Sequence, residues 1–142
     1  MNFTIEVLNK NLHDRDSFDC GIDELNNFLK LHANQNQQKN ISKSYVAVPQ
    51  DNINHPKTIA GYYTLSSGHI TLSQLSETIQ RSLPKHPVPI ARIGRLAVHK
   101  THHRQGVGGY LLHNALTNIL NISQKIGIYA VVVDAKNNIA KT

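Results

Sequence analysis

The sequence predicts one α/β domain built on a mixed sheet with helices on its faces, and three observations carry that reading. An apolar pattern of helical period occupies residues 22–35, two strand-like runs joined by a polar turn follow, and a strand, a helix and another strand succeed one another after residue 90. Two strands separated by a helix run parallel in one sheet, whereas the joined pair forms an antiparallel hairpin, so the sheet is mixed.

Each element has its own local cause. Ile22, Leu25, Phe28, Leu29 and Ala33 recur at helical spacing behind Gly21, with Asp23 and Glu24 in the first turn, where they complement the helix dipole. The amide-rich run Asn34–Asn40 marks a helix end or loop. Ser44–Val48 reads as a strand, Pro49–Lys57 as a polar turn and Thr58–Ser66 as the returning strand. Leu72, Leu75, Ile79 and Leu83 share one face of a short helix, which Pro84, Pro87 and Pro89 end. Ile90–Val98 is then a strand, Tyr110 to about Ile122 a helix, and Ile126–Asp134 a further strand.

At 142 residues the chain suits a single domain. Its 39% hydrophobic and 17% charged residues suit a globular protein and exclude a disordered one. The apolar run Ala130–Val133 is too short to span a bilayer, and residues 1–6 show no secretory signal. With one cysteine, Cys20, a disulfide framework is excluded and a reducing cytoplasm is the expected compartment. Six of the nine acids fall in the first 24 residues, leaving thirteen Lys or Arg against three acids in the rest. A body that basic attracts polyanions, whether a phosphorylated cofactor, a nucleic acid or both.

The segment richest in chemistry lies between the strand ending at Val98 and the helix from Tyr110: His99-Lys100-Thr101-His102-His103-Arg104-Gln105-Gly106-Val107-Gly108-Gly109. A basic, glycine-containing loop that opens a helix is a phosphate cradle, because the first helical N–H groups lack internal partners and the dipole there is positive. Gly106 and Gly108 let the backbone approach an anion. No Gly-Lys-Ser/Thr follows for a Walker loop, and no early strand-Gly-x-Gly-x-x-Gly unit supports a dinucleotide fold. His99, His102 and His103 also raise a zinc site, but no Cys or acidic ligand stands near them, so no metal is expected. Cys20 reads as a small residue before a helix rather than a nucleophile, and Asp134 as a group that orients a substrate amine or starts a helix.

Arg95-Leu96-Ala97-Val98, the loop, and Gly106–Leu112 resemble motif A of the GCN5-related N-acetyltransferases, whose loop pattern is Gln/Arg-x-x-Gly-x-Gly/Ala; here His103 falls on the first position. Phe18–Gly21, Ser44–Ala47, Gly61–Ser66, Pro87–Pro89, Gly94–Val98 and Val133–Ala135 are similar, in that order, to blocks of the acetyltransferase toxins of toxin-antitoxin pairs. The resemblance implies a mixed, mostly antiparallel sheet with helices on both faces. It implies acetyl-CoA as cosubstrate, held by Leu96, Ala97, Val98, His103, Arg104, Gln105, Gly106, Val107, Gly108, Gly109 and Asn137, with a backbone N–H of Leu96–Val98 polarising the thioester. It also implies aminoacyl-tRNA as acceptor, a ribbon-helix-helix antitoxin as partner and a homodimer.

The family continues past Val-Asp-Ala into a segment bearing Tyr-x-x-Phe-Gly-Phe and final strands, whereas this sequence ends at Ala140-Lys141-Thr142. The expectation is a C-terminally truncated single domain over 1–142 that binds acetyl-CoA and transfers acetyl slowly or not at all, without the family's catalytic tyrosine. Tyr110 and Tyr129 are the candidates to replace it. The alternatives are an inactive remnant that binds antitoxin or operon DNA, and an acetyltransferase of small-molecule or protein amines.

Overall fold

The computed structural model describes residues 2–83 and 87–134. Its main sheet has five strands: β1 (Phe3–Val7), β3 (Lys43–Pro49), β5 (Gly61–Ile70), β6 (Val88–Val98) and β7 (Ala130–Val133), in the order β1-β3-β5-β6-β7. All neighbours are antiparallel except β6 and β7, which run parallel, as the intervening helix requires. The sheet is therefore mixed and mostly antiparallel. A small second sheet pairs β2 (His13–Asp14) with β4 (Lys57–Thr58).

Helices cover both faces, and strand alternation divides the core accordingly. On one face α4 (Val107–Ser123) sets Val107, Leu111, Ala115 and Ile119 against Ala47, Tyr63, Leu65, Ile93 and Val98. On the other face α1 (Asp23–Asn27), a π-helical turn (Phe28–His32) and α2 (Ala33–Gln38) set Leu25, Phe28, Leu29 and Ala33 against Val46, Val48, Tyr62 and Ala97. The helical pattern read from the sequence is thus one apolar stripe, interrupted by the π turn. Phe28 stacks on Tyr62, whose hydroxyl donates to the Leu25 carbonyl at 2.7 Å.

Several boundaries differ from the sequence reading. The outer strand β1 was not anticipated, although Phe3, Ile5 and Val7 alternate. The helix expected over Leu72–Leu83 is a 3₁₀ turn (Leu72–Gln74) and a separate α3 (Glu77–Arg81) with no buried residue. Side chains divide it: the Gln74 carbonyl oxygen accepts from Thr71 N–H, and Ser76 caps Ile79 N–H, so the chain restarts its helix there. Strand β6 begins at Val88 and includes Pro89, whose carbonyl accepts from Tyr129 N–H before β7 begins, at a place where no strand needs its missing donor. β7 is shorter than expected and pairs with β6 over Ile90–Ile93.

α4 begins three residues earlier than the sequence reading placed it. Gly108 and Gly109 stand in its first turn rather than in the preceding loop, because Val107 is locked into the core. β5 approaches β6 and α4 closely at Gly61, where a Cβ would lie 2.9 Å from both the Ala97 carbonyl oxygen and Leu111 Cδ1. Among the described residues no helix is long and apolar enough to cross a membrane.

Candidate functional site: an open strand edge facing a helix start

A β-bulge creates the site. Tyr63 pairs with Leu96 and Leu65 with Ile93, so Gly94 and Arg95 together oppose Thr64. The Arg95 N–H donates to the Thr64 hydroxyl at 3.0 Å. A Cβ on Gly94 would lie 2.9 Å from that same hydroxyl. The extra residue reverses which residues face which neighbour. Before the bulge, the carbonyls of Pro89 and Ile93 accept from Tyr129 and Asp134 on the β7 side. After it, His99 N–H donates to the Ala60 carbonyl on the β5 side. By alternation, the N–H groups of Leu96 and Val98 point away from β5, along an edge that, among the described residues, β7 pairs only as far as Ile93. Ala97 and Val98 are fully buried, backbone included, and Leu96 is partly exposed, so Leu96 is where this segment meets the surface.

The loop turns this edge toward α4. Lys100–His102 form a 3₁₀ turn, Arg104 takes φ 64°, and Gly106 caps α4 in the left-handed region at φ 77°. No side chain caps α4, while Tyr110 N–H already reaches the Gly106 carbonyl, so the amides of Val107, Gly108 and Gly109 have no intrahelical acceptor, although Val107 and Gly108 are buried. Gly109 is exposed, and a Cβ there meets nothing within 4 Å. Such a start fits the pyrophosphate of a nucleotide-bearing cosubstrate.

His103 is exposed, and its Nε2 donates to the Val98 carbonyl at 2.8 Å, joining the loop to the open strand edge. Gln105 is held by His102, whose Nδ1 lies 3.0 Å from its side-chain oxygen. His99 accepts from Thr101 N–H through Nδ1 and reaches the Ser17 carbonyl through Nε2 at 3.3 Å. Burial lowers its pKa, so it is neutral near pH 7 and adds no positive charge to the loop. The three imidazoles thus take separate protein partners. Asn137 lies outside the described residues.

Asp19 anchors the loop from the α1 side, a role the sequence reading missed. Its backbone carbonyl accepts from Lys100 N–H at 2.9 Å and its Oδ2 pairs with Lys100 Nζ at 3.0 Å. Oδ1 accepts from Gly21 N–H and Asn26 Nδ2. The Asx-turn spacing of Asp19 and Gly21 was the available signal. The Gly21 N–H, then Lys100 and Asn26, hold this carboxyl well below the usual carboxylate range. Its contribution to stability is therefore complete above about pH 4 and is lost as the pH falls further. In thermal melts, the gap between wild type and Asp19→Asn should narrow on acidification below that pH.

Other candidates are settled by their contacts. Cys20 is buried, its thiol lies 3.6 Å from the Ile22 carbonyl, and burial raises its pKa, the reverse of what a nucleophile needs. Asp134 forms a 2.6 Å ion pair with Arg92. The Tyr110 hydroxyl donates to the Phe3 carbonyl at 3.2 Å. Tyr129 stands beside Pro89, at the opposite end of β6 from Val98 and roughly 30 Å along the strand.

A mixed sheet in which, among the described residues, the strand β6 is paired on one side only beyond its bulge, beside a helix start that no side chain caps, defines the class: an N-acetyltransferase domain. The chain is 34% identical over 131 residues to the probable toxin TacT of Sinorhizobium fredii, a match covering 92% of this chain and 70% of that protein. It belongs to the GCN5-related N-acetyltransferase family, in the group of toxin acetyltransferases of toxin-antitoxin pairs. A tRNA-acetylating toxin of Mycobacterium tuberculosis is 27% identical over 128 residues, with 90% of this chain and 73% of that one covered. A crystal structure of a KacT mutant superposes with a TM-score of 0.88 at 33% identity, over 99% of this chain and 82% of that one. AtaT complexed with acetyl-methionyl-tRNA gives 0.84 at 29% identity over 96% and 79%. AtaTR bound with acetyl-CoA gives 0.82 at 30% identity over 98% and 80%. No protein-family model matches the chain.

Proposed function

We propose that this protein is an acetyl-CoA-dependent toxin that acetylates the α-amine of aminoacyl-tRNA and so blocks translation. The observation that carries the reading is the conjunction of the bulged edge of β6 with the first-turn amides of α4, which lack intrahelical acceptors. Acetyl-CoA is the cosubstrate. Its pyrophosphate lies against the backbone of His103, Arg104, Gln105, Gly106, Val107, Gly108 and Gly109, with Arg104 adding charge; Asn137, outside the described residues, is kept as a coenzyme A contact on the family resemblance alone. Its pantetheine arm runs along Leu96, Ala97 and Val98.

The chemistry asks little of side chains. An aminoacyl α-amine has a pKa of about 7 to 8, so its deprotonation near pH 7 costs about 1 kcal/mol and needs no strong base. The amine attacks the thioester carbonyl, the N–C bond forms, the C–S bond breaks, and the proton shed by the attacking nitrogen passes through solvent to the departing thiolate. The outward N–H groups of Leu96 and Val98 stabilise the oxyanion that develops between those events.

The basic body suits a tRNA acceptor. A small polyamine acceptor would need an acidic groove, yet three acids follow Glu24, and one of them, Asp134, is neutralised by Arg92. We read the chain as one cytoplasmic domain that forms a homodimer and is neutralised by an antitoxin of the ribbon-helix-helix type. Complexes of the related toxin AtaT with tRNA and with AtaR support the tRNA and antitoxin assignments. Radiolabelled acetyl-CoA incubated with this chain and charged tRNA should transfer label to the aminoacyl group only slowly, the label being releasable by hydrolysis of the aminoacyl ester. Calorimetry that finds no acetyl-CoA binding by the folded protein would overturn the assignment.

A further inference from the structure

The bulge in β6 depends on a side chain of the neighbouring strand. Thr64 is 2% exposed, yet its hydroxyl is spent on a backbone N–H rather than on another side chain. That N–H belongs to Arg95, the second bulge residue. A bulge leaves a ladder donor without its regular strand partner, and a buried donor left unpaired is costly. The Thr64 hydroxyl supplies the missing acceptor. Gly94, the first bulge residue, must lack a side chain for the same reason, since a Cβ would lie 2.9 Å from that oxygen.

On the far side of the bulge, Arg95 places its guanidinium 3.7 Å from the centre of the Phe28 ring, which holds the bulged segment against the π turn. Without the extra residue, alternation along β6 would aim the N–H groups of Leu96 and Val98 at β5, and the open edge would present those of Ala97 and His99 instead. The identity of the donors offered to a ligand therefore depends on the Thr64–Arg95 contact.

We infer that Thr64 is a positioning residue for acetyl transfer: its hydroxyl holds the Gly94–Arg95 bulge that directs the Leu96 and Val98 N–H groups to the thioester. The inference rests on the acetyl-CoA reading of the site. It assigns Thr64 to the thioester end of the cosubstrate and leaves the pyrophosphate end to α4.

Two probes separate those ends: acetyl-CoA, and a coenzyme A fragment that stops at the pyrophosphate. Thr64→Val keeps the shape and removes the acceptor, whereas Thr64→Ser restores it. Calorimetry on Thr64→Val should show acetyl-CoA binding weakened about tenfold with fragment binding unchanged, and Thr64→Ser should bind both as wild type does. Amide hydrogen exchange should accelerate at Arg95 and Leu96 in Thr64→Val alone. A Thr64→Val protein that keeps full acetyl-CoA affinity and unchanged exchange at Arg95 overturns the inference and leaves the cofactor reading standing. A wild-type protein that binds neither probe removes both.

Discussion

Replacing Gly109 with glutamate is expected to abolish acetyl-CoA binding while leaving the protein at least as stable as the wild type. The two effects have opposite signs because they act through the same charge. Gly109 is exposed in the first turn of α4, and a Cβ there meets nothing within 4 Å, so the fold accepts the substitution. A carboxylate in a first helical turn is favourable toward the dipole, and any residue in place of a helical glycine recovers propensity. Together these should raise stability by about 1 kcal/mol. The same carboxylate would occupy the position proposed for the pyrophosphate, and like-charge contact of that kind weakens affinity on the order of 100-fold or more. Gly109→Gln, of equal size and no charge, should lose much less. Calorimetry with acetyl-CoA beside thermal melts of the three proteins checks this, and unaltered affinity in Gly109→Glu would show that the start of α4 is not the cradle.

Gly61→Ala should destabilise the domain by about 1 to 3 kcal/mol, and Gly61→Val by more. The added Cβ has nowhere to go: it would lie 2.9 Å from the Ala97 carbonyl oxygen, 2.9 Å from Leu111 Cδ1 and 3.3 Å from Val107 Cγ1. A side chain can rotate away, but the Ala97 oxygen belongs to the backbone of β6. Relief must come by moving β6 or α4, the two elements that form the site. A loss of acetyl-CoA affinity in the fraction that stays folded should therefore accompany the drop in denaturation midpoint. Urea titration gives the first quantity and calorimetry the second. A midpoint equal to that of wild type would mean that these three elements do not pack as closely as described.

The motif that names the family was legible because its parts are contiguous. Strand, glycine loop and helix follow one another from Arg92 to Leu120, and their physical meaning, unpartnered amides beside a strand edge, depends on local geometry. Boundaries were less legible where local preference and packing disagree. Glycines at 108 and 109 argue against helix by propensity, yet the burial of Val107, Leu111 and Ala115 on one stripe extends α4 through both. The expected helix over Leu72–Leu83 had the right period but no surface to cover, and local side-chain caps divided it. Strand β1 could have been found from the alternation of Phe3, Ile5 and Val7; its neighbour β3 lies some forty residues along the chain.

The sequence by itself determined the class of the domain, the loop proposed for its cosubstrate and the polarity of its body, since each is written in residues close together or in bulk composition. Tertiary structure alone decided which groups complete the site. Thr64 meets Arg95 across 31 residues and Asp19 meets Lys100 across 81, and neither contact has a period or spacing in the chain. Phe28 and Arg95 likewise meet only because a π turn and a bulge face each other across the sheet. A bulge changes the direction of every later backbone donor by inserting one residue opposite a chosen partner, and that partner is chosen by strand register, which no single strand contains.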